Sequence, residues 1–135
     1  MSRSFRSRRD RPPSGAVRVW NRACDYDFQP TLDGDRALKR AIQFDGLTCN
    51  GGLGHSLDVL SDEDVREAVK SFRYFGLLDT AHLVREALAL PDEGMREALT
   101  DTYYELTEDA LESAFERHYV EYPHEYEPVE LNSAE

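Results

Sequence analysis

The sequence predicts an all-α protein, a single compact multi-helix domain built on antiparallel helical hairpins. Three observations predict it. Apolar residues recur at three- and four-residue spacing along most of the chain. Ser61, the acidic run Asp62-Glu63-Asp64 and Gly76 stand where an N-cap, a first turn and a C-cap belong. The link to the next apolar-periodic segment is so short that the two helices must lie nearly antiparallel. At 135 residues the chain can bury one core and not two.

The elements follow in order. Residues 1–14 carry five arginines, several serines and the pair Pro12-Pro13, with almost no apolar content, so they read as a disordered basic arm. The helical domain is expected over 15–123. Val17, Val19, Trp20, Ala23, Cys24 and Phe28 fit a first helix over Ala16 to Phe28, anchored by Trp20 and stopped by Pro30. Asp33 to Phe44 forms a second, with Ala37, Leu38, Ala41 and Ile42 on one face. Asp33-Gly34-Asp35 lacks the later oxygen ligands of a calcium loop and reads as an N-terminal cap.

Asp45 to Gly54 holds four glycines, Gly46, Gly51, Gly52 and Gly54, and is expected to be a turn. Asn50, Gly51 and Gly52 are its structural residues, so valine at either glycine of that pair is expected to destabilise the fold. Ser61 to Phe75 and Thr80 to Leu90 make the central hairpin, Thr80 capping the second helix. Met95, Leu99, Thr102, Tyr103 and Leu106 mark a weaker helix. Thr107 caps the last one, with Leu111, Ala114, Phe115, His118, Tyr119 and Tyr122 on one face and Pro123 at its end. Residues 124–135 read as an acidic tail that frays.

Composition narrows the function classes. The net charge of −11 is uneven, with +4 over residues 1–14 and −10 over residues 101–135, where eleven acids face Arg117 alone. Such an acidic pole repels nucleic acid and lipid headgroups and favours basic partners. No run approaches the roughly 18 apolar residues of a membrane span. Cys24 and Cys49 stand in no metal-type or redox-type spacing; that suits free thiols in a reducing cytoplasm, with a disulfide between them as the lesser alternative.

The chemistry-bearing motifs are weak. The glycine stretch lacks the Gly-Lys-Ser/Thr of a phosphate loop, and Gly54-His55-Ser56-Leu57-Asp58 has Asp where a nucleophile elbow needs its second glycine. The four histidines show no metal spacing. No catalytic, cofactor or metal residue is therefore assigned. Glu108, Glu112 and Glu116 recur every four residues, roughly 6 Å apart on a helix at about 1.5 Å per residue. That spacing is near the phosphate step of a nucleic-acid strand; it also suits a plain solvated face.

The ordered set Asn50-Gly51-Gly52-Leu53, Phe75-Gly76-Leu77-Leu78-Asp79-Thr80-Ala81-His82-Leu83-Val84, Leu99-Thr100-Asp101-Thr102-Tyr103-Tyr104-Glu105-Leu106 and Phe115-Glu116-Arg117-His118-Tyr119-Val120 carries a resemblance. Over about Ala37 to Pro123 the chain resembles the small all-helical bacterial family named after a neisserial DNA-mimic protein, long described as a domain of unknown function. The resemblance implies an α-helical domain, compatible with a homodimer, and a relative whose carboxylates stand in for DNA phosphates to occupy a DNA-binding protein.

The expected function is therefore non-enzymatic protein binding in the cytoplasm. Glu108, Asp109, Glu112 and Glu116 would face a basic DNA-binding regulator as a decoy or inhibitor, with no direct nucleic acid, membrane or cofactor. An immunity or antitoxin-type protein that binds one toxin is the alternative, and an enzyme using the Asn50 to Asp58 turn is a third.

Overall fold

A computed structural model describes residues 15–130. The expected basic arm over 1–14, and the tail beyond residue 130, lie outside the described residues. The chain forms α1 (Gly15–Ala23), α2 (Asp33–Val59), α3 (Asp62–Tyr74), α4 (Leu78–Ala89), α5 (Glu93–Glu97), α6 (Thr100–Thr107), α7 (Ala110–Glu121) and a 3-10 turn, Pro123–Glu125. The all-α reading holds.

The first helix is shorter than its apolar pattern. Asp25 Oδ1 accepts from the Asp27 amide at 3.0 Å, so the chain turns there instead of continuing to Phe28. Val19, fully buried, anchors α1. Trp20 is only half-buried, its ring centroid 5.8 Å from that of Phe115.

The expected turn over Asp45 to Gly54 is helical apart from one residue. Only Gly52 leaves helical geometry, at φ 88° and ψ 173°, a region open essentially to glycine. The bend there is sharp. Thr48 Oγ1 donates to Ser56 Oγ at 2.9 Å, although eight residues span about 12 Å in a straight helix. The second half of α2 therefore needs its own N-terminal caps. They come from far along the chain: Thr100 Oγ1 accepts from the Leu53 amide at 3.0 Å, and Glu97 Oε1 accepts from the Gly54 amide at 2.9 Å.

The central hairpin forms as its end signals predict. Ser61 Oγ accepts from the Asp64 amide at 3.1 Å. At the other end Gly76 (φ 80°) donates to Arg73 O at 2.9 Å and Leu77 to Phe72 O at 2.8 Å, closing α3 with the two reversed bonds of a Schellman motif. Thr80 does not cap α4, which begins two residues earlier. It is buried, its hydroxyl 3.2 Å from that of Thr107. Thr107 is thus also occupied, and α7 starts at Ala110 after Asp109 takes a left-handed φ of 63°. The weaker helix expected around Met95 to Leu106 divides into α5 and α6, with Met95 and Thr102 exposed and Tyr103 buried.

Two aromatic clusters fill the core. Phe44, Phe72 and Tyr103 meet edge-on, with centroids 5.9 to 6.4 Å apart. Phe115 brings together Trp20, Phe75, Tyr119 and Tyr126.

Tyr126 corrects the expected tail, because it is buried and the chain past Pro123 straps across the domain. Fully buried Asp35 accepts from Arg22 Nη2 at 3.0 Å and from the Glu127 amide at 2.8 Å, while Arg22 also donates to Glu127 O and Pro128 O. The supposed cap is an internal anchor. Tyr74 donates to Glu125, and His118 Nδ1 lies 2.7 Å from the Tyr126 hydroxyl. Cys24 and Cys49 are free and exposed.

Burial lowers the His118 pKa, with His124 adding to that effect and Glu121 opposing it. As pH falls below the ordinary histidine value of about 6.5, the unfolded chain takes up the proton first. The stability that neutral His118 confers is present above that value and is lost below it. Thermal unfolding of the wild type and His118→Gln should show a wide gap at pH 7.5 that narrows by pH 5. A constant gap would mean that the imidazole does not titrate against the fold.

Candidate partner-binding site

Where α6 hands over to α7, the chain must reverse, and Asp109 in its left-handed conformation makes the corner. Glu108 precedes it and Glu112 lies in the first turn of α7, which packs against α1 through Trp20 and Phe115. Across from them is the first half of α2, with Asp45 and Cys49 one turn apart. The result is a hollow of about 490 Å³. Asp45, Glu108, Asp109 and Glu112 supply its carboxylates, and Trp20, Tyr103, Tyr104 and Leu111 its apolar wall.

The polar groups of the wall are fixed. Tyr103 donates to Asp45 Oδ1 at 2.8 Å, Tyr104 donates to Thr48 O at 2.9 Å, and Cys49 Sγ lies 3.8 Å from Asp45 Oδ2. Burial first, then the charge of Asp45, pushes the Tyr103 phenol well above its usual range, and the same two causes raise the Cys49 thiol. Burial also raises Tyr104, with Cys49 and Glu97 contributing. These groups stay protonated because a further negative charge here is opposed by both desolvation and carboxylates. A site of this kind favours cations and leaves Cys49 a poor nucleophile. The carboxylates do not converge on a point: among the described residues no group of three His, Cys, Asp or Glu could hold a metal ion.

The structure thus brings together three of the four predicted partner-binding residues. Glu108, Asp109 and Glu112 share the hollow, while Glu116 lies one turn further along α7, half-buried and outside it. The regular row of three glutamates does not form. Buried Thr107 ends α6 and left-handed Asp109 interrupts the helical register, so only Glu112 and Glu116 keep the one-turn spacing. Sequence reasoning missed Asp45 and the Trp20, Tyr103 and Tyr104 wall, which residues so far apart in the chain give no local signal of.

The glycine stretch builds no comparable site. Asn50 and Gly51 are exposed on a helix, and Gly52 is the buried bend. His55 and Asp58 face solvent, whereas the Ser56 hydroxyl is buried and bonded to Thr48 and to Leu53 O. A larger hollow of about 760 Å³ lies between the 26–30 loop, α2 and α3. Its cations are spoken for: Arg36 pairs with Asp33, Arg40 with Asp64 and Lys70 with Glu67, and Lys39 Nζ donates to the carbonyls of Asp25, Tyr26 and Phe28.

A family model described as DMP19-like protein matches residues 32–134, from just before α2 through the strap. No curated protein and no solved structure matches the chain.

Proposed function

The chain belongs to the DMP19-like protein family, and we propose from that premise that it is a non-enzymatic, acidic protein-binding domain, a DNA-mimic decoy or inhibitor of a basic DNA-binding protein. One observation carries the reading: four carboxylates border a hollow whose wall is aromatic and apolar. The carboxylates stand in for phosphates toward a cationic surface and steer its approach. Half-buried Trp20 and Tyr104 offer contact area that gains affinity once water is excluded. Free Cys24 and Cys49 suit a reducing cytoplasm as the place of the encounter. The same apolar wall favours a second reading, an immunity or antitoxin-type protein that grips one toxin through a mixed patch.

The test compares wild type with Glu108→Gln/Asp109→Asn, both exposed positions, on basic proteins retained from host lysate. A decoy predicts a DNA-binding protein that is released by salt and displaced by duplex DNA, with affinity at least about tenfold weaker for the variant. Weakened binding that duplex DNA does not displace would select the toxin-binding reading. The same partners at the same strength on both proteins would sink both readings.

A further inference from the structure

On this acidic chain one surface is reversed in sign. Arg66, Lys70 and Arg73 recur along α3 at positions i, i+4 and i+7, so they share one helical face in steps of about 6 and 4.5 Å at about 1.5 Å per residue. The closed Schellman turn at Gly76 folds α4 back alongside, which brings Arg85 to the same place. The four cations and Asp62 line a hollow of about 540 Å³, over Val69, Leu88 and Ala89. Lys70 is paired with Glu67 at 3.2 Å. Among the described residues no hydrogen bond or ion pair engages the guanidinium of Arg66, Arg73 or Arg85, in contrast to the bound cations of the larger hollow.

We propose that this hollow binds a condensed-phosphate anion, the charge-dense chain of phosphates that tripolyphosphate and nucleoside triphosphates share. Three unengaged guanidiniums present planar forks that match phosphate oxygens two at a time. The volume lies within the roughly 300 to 1,000 Å³ of small-molecule sites. Size also selects the ligand. A short anion stays within the Debye length of about 8 Å from the patch, whereas a long polyanion, such as nucleic acid or an acidic protein, also meets the field of a chain with net charge −11. The site is separate from the acidic hollow, and the inference does not rest on the decoy reading.

The experiment is calorimetric titration of the full chain with tripolyphosphate and with ATP, free of magnesium and at physiological salt. Saturable one-to-one binding is expected, weakened at least about tenfold in Arg66→Gln/Arg85→Gln. Arg117→Gln, which removes an exposed arginine outside the hollow, should leave it unchanged. Thermal unfolding of each variant without ligand separates lost binding from lost fold. Tighter binding of ATP than of tripolyphosphate would support the proposal with the nucleoside resting on Leu88 and Ala89, and equal binding would support it with the phosphates alone. No binding of either anion, equally tight citrate, a glutamate-rich peptide that binds more tightly, or an equal loss in Arg117→Gln would overturn it.

Discussion

Gly52→Ala is expected to destabilise the fold by about 3 kcal/mol, whereas Gly51→Ala, one residue earlier, should cost much less. Gly52 has φ 88° and ψ 173°, where a side chain is strained whatever the space around it. Space is also lacking, since an added Cβ would run into the Glu97 carboxylate. That carboxylate caps the Gly54 amide, and displacing it costs about 1 kcal/mol more. Gly51 is helical and exposed. Its Cβ would meet only the His55 side chain: the ring carbons at 2.6 and 2.7 Å can turn away, but the His55 Cβ at 2.8 Å is fixed to the backbone, so the helix must give by a few tenths of an ångström. The helix propensity that alanine recovers there, roughly 0.5 to 1 kcal/mol, offsets part of that steric cost. Urea midpoints with equal slopes would measure both. Equal losses at the two positions would mean that the bend is not held by Gly52.

Asp35→Ala should cost about 3 to 5 kcal/mol, the range for removing one partner of a buried ion pair. Asp35 is fully buried and holds both Arg22 and the Glu127 amide, so its loss strands a guanidinium whose Nε already has no partner. Arg22 keeps its bonds to Glu127 O and Pro128 O and its position 4.8 Å over the Phe28 ring, but the charge is no longer balanced. Asp35→Asn should lose less, because an amide oxygen can still accept from Glu127. Chemical denaturation gives the stabilities, and amide exchange at Glu127 reports whether the strap opens locally before the domain unfolds. Wild-type exchange in Asp35→Ala would show that the strap is held without it.

The α3–α4 hairpin was legible because its information is local: Ser61 caps its own helix, and Gly76 closes it within three residues. The continuation of α2 through four glycines was not, because glycine composition argues for a turn and the caps that stabilise the bend, Glu97 and Thr100, lie more than forty positions away. Asp35 resembled a cap for the same reason. Nothing near it in sequence announces Glu127, 92 residues on. Acidic composition around residues 121–130 concealed the one residue, Tyr126, that the core requires. For the candidate site, the acids were legible as charge, but their arrangement was not. An unbroken 3.6-residue period put Glu108 and Glu116 on one face, and the left-handed residue between α6 and α7 removes that period.

Trp20 is the only tryptophan in the chain, and it sits half-buried between the ring of Phe115 and the rim of the acidic hollow. Its emission therefore comes from one known place. Spectral shifts and quenching by small solutes can be read directly as changes in polarity and access at that rim, without a label. The molecule carries its own optical reporter at the surface where a partner is expected.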